Sequence, residues 1–317
     1  MFACLQITRE RPCGWRKGTP PALVRVEPPG GAPFFRLEVT WRGKGELPWA
    51  EIERAAGRLR TRMLFPEGVC PPPPPPARSA SQAQLEPGLR AFVPRRLPLL
   101  LCLRAAQQVL QAARTPARQL RVTVVDSKGV LARQLEPLVP LAGSLRVYTP
   151  EAAVYRAAAG QLQRRYGVAL VISDSPACFA QSHVVVAESL RLFTGRENGL
   201  ILTPELILTP DGGTALPGNC AAHGSRAARC GAPILPEAYA RLCPPGIDPL
   251  RFACALYELC GVKEMERLRF THFSFDGVIL HPNEPAGSPG TPGRTYTPED
   301  LAGMVDNICT SMLPHLR

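Results

Sequence analysis

The chain contains no run of 18 apolar residues. Its densest apolar stretch, residues 97–103, carries Pro98 inside it and meets Arg104 at its end, so no membrane-spanning helix is expected. No apolar core of signal-peptide length precedes the charges near the N-terminus, and a cytoplasmic protein is the expectation. No CxxC pair occurs among the eleven cysteines, which removes zinc ribbons and thioredoxin-type redox motifs. The odd count, without an export signal, points to free thiols rather than a disulfide framework. Cys220, His223, Cys230 and Cys243 are the nearest approach to a metal cluster. Their uneven spacing in a Gly/Pro-rich stretch does not supply two tight ligand pairs, so no metal site is assigned. Lysine is scarce, 4 residues against 33 arginines, and aromatics make up 6%. The arginine bias, with abundant Ala, Pro and Gly, is that of a GC-rich genome, and a bacterial source is expected. The net charge of +11 is dispersed along the chain, and aromatics do not interleave with Arg54, Arg58, Arg60 and Arg62. A stacking platform for nucleic acid is therefore not indicated, and that face reads as solvated.

What the chain does have is room and pattern. Its 317 residues, 45% apolar and 20% charged, suffice for two domains or one with a large appendage. Four regions are expected: a small α+β unit over 1–69, a Pro-rich linker over 70–96, an α/β domain over 97–190, and a loop-rich C-terminal region with closing helices over 191–317. In the first, ALVRVE and FFRLEVTW alternate apolar and polar residues around the turn sequence PPGGAP. Residues 48–63 follow as a helix, with Ile52, Ala55, Ala56, Leu59 and Met63 on one side. The linker opens with six consecutive prolines, a stiff polyproline segment.

From residue 97 the pattern changes. Leu99, Leu100, Leu103, Ala106, Val109 and Leu110 keep a helical rhythm. Strands are then read over 122–125, 145–149, 168–173 and 183–188. Helices are read over 130–141, interrupted by Pro137 and Pro140, over 150–166, and briefly over 175–181. Strands apolar on both faces, alternating with helices, imply a parallel sheet covered on both sides. The fold class is thus α/β, a Rossmann-like parallel sheet with helices on both faces, plus the N-terminal α+β unit and an irregular C-terminal region. Later helices are expected over 249–261, stopped by Gly261, and over 297–316, with Thr297 as N-cap and Leu301, Met304, Val305, Ile308 and Met312 inward. Two short strands are read within 199–213.

The segment RVTVVDSKGVLARQLEPL, residues 121–138, opens the α/β domain as a strand, a turn with one glycine, and a helix. Residues 121–188 resemble the NAD(P)-binding half of Rossmann-type dehydrogenases of the shikimate-dehydrogenase and glutamyl-tRNA-reductase kind. In those families GxGxxG/A follows the first strand and seats the pyrophosphate on a helix N-terminus. Here the register is SxGxxA: Ser127 stands for the first glycine, Gly129 for the second and Ala132 for the third, with Lys128 between. Asp126, just before, would repel an anion. The second strand ends in Tyr148 and Thr149 with no acid to hold ribose hydroxyls, which suits NADP, with Arg156 as partner for a 2′-phosphate, better than NAD, and equally suits no dinucleotide at all. The fourth strand resembles the ADVVV strand, with His183 in the place of its Asp and Ala187 at its tip. The resemblance therefore implies Ser127, Lys128, Gly129, Ala132, Thr149 and Ala187 as cofactor-binding positions.

No catalytic signature accompanies them. Shikimate-type enzymes use a Lys–Asp pair and glutamyl-tRNA reductase a Cys nucleophile. Lys17, Lys44 and Cys70 stand in no recognisable setting. His223, and His272 with Asp276, are the remaining proton-transfer candidates, and each reads more simply as structural. GxSxG, HExxH and Walker A patterns are absent. Three readings follow. The first is a non-catalytic scaffold that binds a small molecule or partner. The second is an NADP-dependent oxidoreductase, and the third a basic nucleic-acid-binding protein. A nucleotide or another small molecule is the expected partner, and the sequence fixes no oligomeric state.

Overall fold

The computed structural model describes residues 1–9, 20–41, 47–57, 61–69, 89–175, 178, 182–188, 206–210, 226–231, 233–270, 273–275 and 295–312. In chain order its strands are β1 (Phe2–Arg9), β2 (Ala22–Val26), β3 (Phe34–Trp41), β4 (Arg62–Leu64), β5 (Arg90–Ala91), β6 (Arg121–Val125), β7 (Ser144–Tyr148), β8 (Leu170–Ser173), β9 (Val184–Ala187), β10 (Leu206–Thr209), β11 (Arg226–Cys230), β12 (Phe273–Phe275) and β13 (Thr295–Tyr296). The main helices are α1 (Trp49–Gly57), α2 (Leu97–Ala112), α3 (Ala152–Tyr166), α4 (Pro249–Cys260) and α5 (Pro298–Met312). The chain divides into two units. One comprises Met1–Leu97 with Ile234–Leu268, the other Pro98–Pro233 with Arg269–Arg317. Residues Ile234–Leu268, grouped by sequence with the C-terminal region, thus join the N-terminal ones. The proline run and most of the linker lie outside the described residues.

The first unit is built on a five-stranded sheet in the order β2-β3-β1-β4-β5, with β2 antiparallel and the other pairs parallel. Central β1 begins Phe-Ala-Cys-Leu, all four fully buried, so both of its faces are covered. Ala3 and Leu5 pack with Ile52 and Ala56 of α1. Phe2 stacks on Phe34 at 4.8 Å between centroids, and Phe252 of α4 meets both rings edge-on. Of the helix expected over 48–63, Trp49–Gly57 is described; residues 58–60, with Leu59, lie outside the described residues, and Met63 lies instead in β4, paired with Ala3. An apolar residue at that position serves a buried strand equally well. Helix α4 starts on Asp248, whose side chain accepts the Arg251 amide at 2.7 Å, and stops at Gly261 with φ 75°.

The second unit contains an eight-stranded sheet in the order β13-β12-β11-β10-β9-β6-β7-β8. The strands from β6 to β11 pair in parallel, while β12 and β13 add antiparallel pairs. Numbered by sequence, the six parallel strands lie in the order 3-2-1-4-5-6, the doubly wound Rossmann arrangement. Strands β9 and β10 are buried at every residue, as expected of strands covered on both faces. Edge strand β8 is not, and Val171 is 48% exposed. All six apolar positions assigned to α2 are buried. Thr297 caps α5 reciprocally: its hydroxyl accepts the Asp300 amide while the Asp300 carboxylate accepts the Thr297 amide. Leu301, Met304 and Val305 point inward.

One element differs in a way that matters for the site. Residues 130–141 do not form an α-helix. They run through turns into a 3-10 segment, Glu136–Leu141. Pro137 and Pro140 each remove a backbone donor, so the i to i−4 ladder cannot propagate.

Candidate functional site

In a doubly wound sheet the ligand crevice lies beyond the carboxyl ends of the strands, where the strand order reverses. Here that point falls between β6 and β9. The three tips are in register: Val125 pairs with Tyr148 on one side and Ala187 on the other. Asp126, Thr149 and Glu188, the residues that follow, therefore sit side by side across the sheet edge.

Asp126 dominates this edge. It is fully buried. Its Oδ2 accepts the Leu131 amide at 2.7 Å and the Tyr155 hydroxyl at 2.6 Å, and its Oδ1 accepts the Lys128 amide at 3.2 Å. These turn amides belong to the segment that would face a bound pyrophosphate. They converge on the chain's own carboxylate. No α-helix follows the turn, so no helix dipole adds to them. Tyr155, on α3, is also fully buried. Burial first, then the charge and hydrogen bond of Asp126, and then Glu188, push its phenol well above the usual range, so it remains a donor.

Gly129 has φ +69°, and a Cβ placed on it would come within 3.0 Å of a Val154 methyl. Its glycine character is thus accounted for by a left-handed turn packed against α3. The other implied positions divide by access. Ser127 is half-buried and Lys128 exposed, whereas Ala132 is buried and Thr149 and Ala187 are fully enclosed. The Thr149 hydroxyl accepts the Glu151 amide at 3.1 Å, closing a local turn. Arg156 is exposed on α3. The structure brings Ser127, Lys128, Gly129, Thr149 and Ala187 to one edge of the sheet, but the groups it points inward there are those of Asp126 and Tyr155.

His183 stands at the opposite end of β9. Its Nδ1 accepts the Arg121 amide at 3.0 Å while its own amide donates to the Arg121 carbonyl. Burial, and then the nearby Arg121 charge, push its pKa down to about 4, so the ring is a neutral acceptor that fixes the starts of β6 and β9. Beside it the Thr123 and Ser182 hydroxyls are 2.6 Å apart in the core. The sequence did not single out Asp126 as an internal ligand or Tyr155 as its partner. An acid immediately after the first strand, where a glycine-rich turn should open, was the available signal.

His223, His272, Asp276, Cys220, Cys70, Lys17 and Lys44 lie outside the described residues. Cys230 and Cys243 fall in different units. Among the described residues no group of three or more His, Cys, Asp or Glu could hold a metal ion, and no helix is long and apolar enough to cross a membrane.

No family model and no curated protein matches the chain. Among solved structures it is similar to quinate dehydrogenase from Corynebacterium glutamicum, solved in complex with NAD. The identity is 15% and the TM-score 0.31, over 73% of this chain and 87% of that one. It is also similar to L-tryptophan dehydrogenase from Nostoc punctiforme, at 13% identity and TM-score 0.32, over 88% of this chain and 68% of that one. The assignment of the second unit to the Rossmann-type fold rests on its own strand order.

Proposed function

We propose that this protein is a non-catalytic Rossmann-type scaffold that binds a small molecule or a partner without seating a dinucleotide pyrophosphate at the Ser127, Lys128, Gly129 turn. The observation that carries this reading is the Asp126 carboxylate, which takes the Lys128 and Leu131 amides for itself. A phosphate entering there would have to displace a buried carboxylate and leave its charge without partners, a change costing several kcal/mol, roughly 3–5. The neighbouring tips support the same reading. Thr149 and Ala187 are enclosed, and the polar groups at the edge that are held in place are bound to each other rather than facing a reacting atom.

The competing reading is an NADP-dependent oxidoreductase. One observation favours it, the 3-2-1-4-5-6 strand order; the second strand tip without an acid suits NADP over NAD but equally suits no dinucleotide. Nitrogen-labelled protein separates the two. Addition of NADPH, or of inorganic pyrophosphate, should leave the Lys128 and Leu131 amide resonances unmoved. Saturable shifts at both would favour the oxidoreductase.

A further inference from the structure

The Sγ atoms of Cys102 and Cys230 lie 3.4 Å apart in the core of the second unit, from residues separated by 128 positions. Cys102 is fully enclosed and Cys230 only 2% exposed. Cys102 belongs to α2, which leads into the first parallel strand, and Cys230 ends β11, the sixth. Neither is in a disulfide in this structure. The contact is that of a thiol hydrogen bond, and the sulfurs would need to approach by about 1.3 Å to reach a disulfide bond length.

We infer that Cys102 and Cys230 form a redox-sensitive clamp, joining helix α2 to strand β11 when the protein meets a low-molecular-weight disulfide such as oxidised glutathione. The step is an ordinary thiol–disulfide exchange. One cysteine loses its proton and its thiolate attacks the glutathione disulfide, forming a mixed disulfide and releasing one glutathione thiolate. The second cysteine, also deprotonated, attacks the protein sulfur of that mixed disulfide and releases the second. The cysteine pair is oxidised by two electrons, one glutathione disulfide is reduced to two thiols, and the two protons go with them. Because both sulfurs are enclosed, attack requires local opening, so exchange is slow compared with that of an exposed thiol. Once formed, the bond closes a long loop between elements that already touch, so it restrains the unfolded chain with little change in the folded one.

The sequence makes the test direct. Trypsin releases Cys102 in LPLLLCLR (97–104) and Cys230 in CGAPILPEAYAR (230–241), each with a single cysteine. The full chain is equilibrated with oxidised glutathione, quenched with an alkylating agent and digested without reductant. The expected result is one species joining the two peptides. It should be accompanied by a rise in melting temperature of roughly 5–15 °C that dithiothreitol reverses. Cys102→Ala and Cys230→Ala should each abolish both. Recovery of the two peptides as separate alkylated or glutathionylated species, or joined to other cysteines, would overturn the inference. The wild-type peptide map decides the matter even if a variant does not fold.

Discussion

Removal of the Asp126 carboxylate is the perturbation with the largest consequence worked from this structure. In Asp126→Ala, the Leu131 amide and the Tyr155 hydroxyl lose a buried acceptor, while the Lys128 amide, partly exposed, is rehydrated. A buried unsatisfied donor costs about 1–3 kcal/mol, so the variant should lose about 3–5 kcal/mol of stability. Tyr155→Phe removes one hydrogen bond to a charged group and should cost about 1.5–3 kcal/mol. The two residues share that bond, so the double variant should cost less than the sum, with a coupling of about 1–2 kcal/mol. Urea denaturation followed by circular dichroism gives all three values from midpoint shifts at constant slope. An Asp126→Ala cost below about 1 kcal/mol with no coupling would contradict this role for the carboxylate. It would mean that the carboxylate does not hold the turn and that the amides are available to another anion.

Three further outcomes are expected. His183 is neutral in the folded chain down to about pH 4, whereas in the unfolded chain it takes its proton near pH 6.5. Stability should therefore fall between those values as pH is lowered, by up to about 3 kcal/mol, and His183→Asn should flatten that loss; denaturation midpoints from pH 8 to pH 4 check this. Gly129→Ala should cost about 1–3 kcal/mol through its left-handed backbone and its approach to Val154; adding Val154→Ala should recover only the steric part, measured by the same unfolding curves. The Asp306 carboxylate accepts the amides of Arg114 and Thr115 and the Thr115 hydroxyl. Burial raises its pKa, but these hydrogen bonds outweigh it and hold the group below its ordinary value, so its contribution is present at neutral pH and lost as pH falls through that lowered value. Asp306→Ala should cost about 1–2 kcal/mol at pH 7 and progressively less in acid.

The core of the second unit was legible because its residues carry a local signal. The apolar runs at β6 and β9 reflect burial on both faces, the rhythm of α2 reflects a buried helix face, and Thr297 marks a helix start by its own backbone chemistry, as Gly261 marks a helix end in the first unit. Strand β11, Arg-Ala-Ala-Arg-Cys, has no such pattern and is a strand because β10 and β12 pair with it. The return of residues Ile234–Leu268 to the first unit depends on contacts such as Phe252 against Phe2 and Phe34, which no local window contains. The site was half legible. The SxGxxA register located the turn, and Asp126 was visible as a charge in the wrong place for an anion. Its three donors include Tyr155, 29 residues away, so its role as the turn's own ligand emerged only with the fold.

The proposed function has the Asp126 carboxylate take the Lys128 and Leu131 amides that a dinucleotide phosphate would need. The most direct test is titration of the purified protein with NADPH and NADH, followed by nicotinamide fluorescence. No saturable signal up to millimolar nucleotide is the predicted result. Saturable micromolar binding that Lys128→Glu weakens would contradict it and would identify the turn as a working nucleotide site.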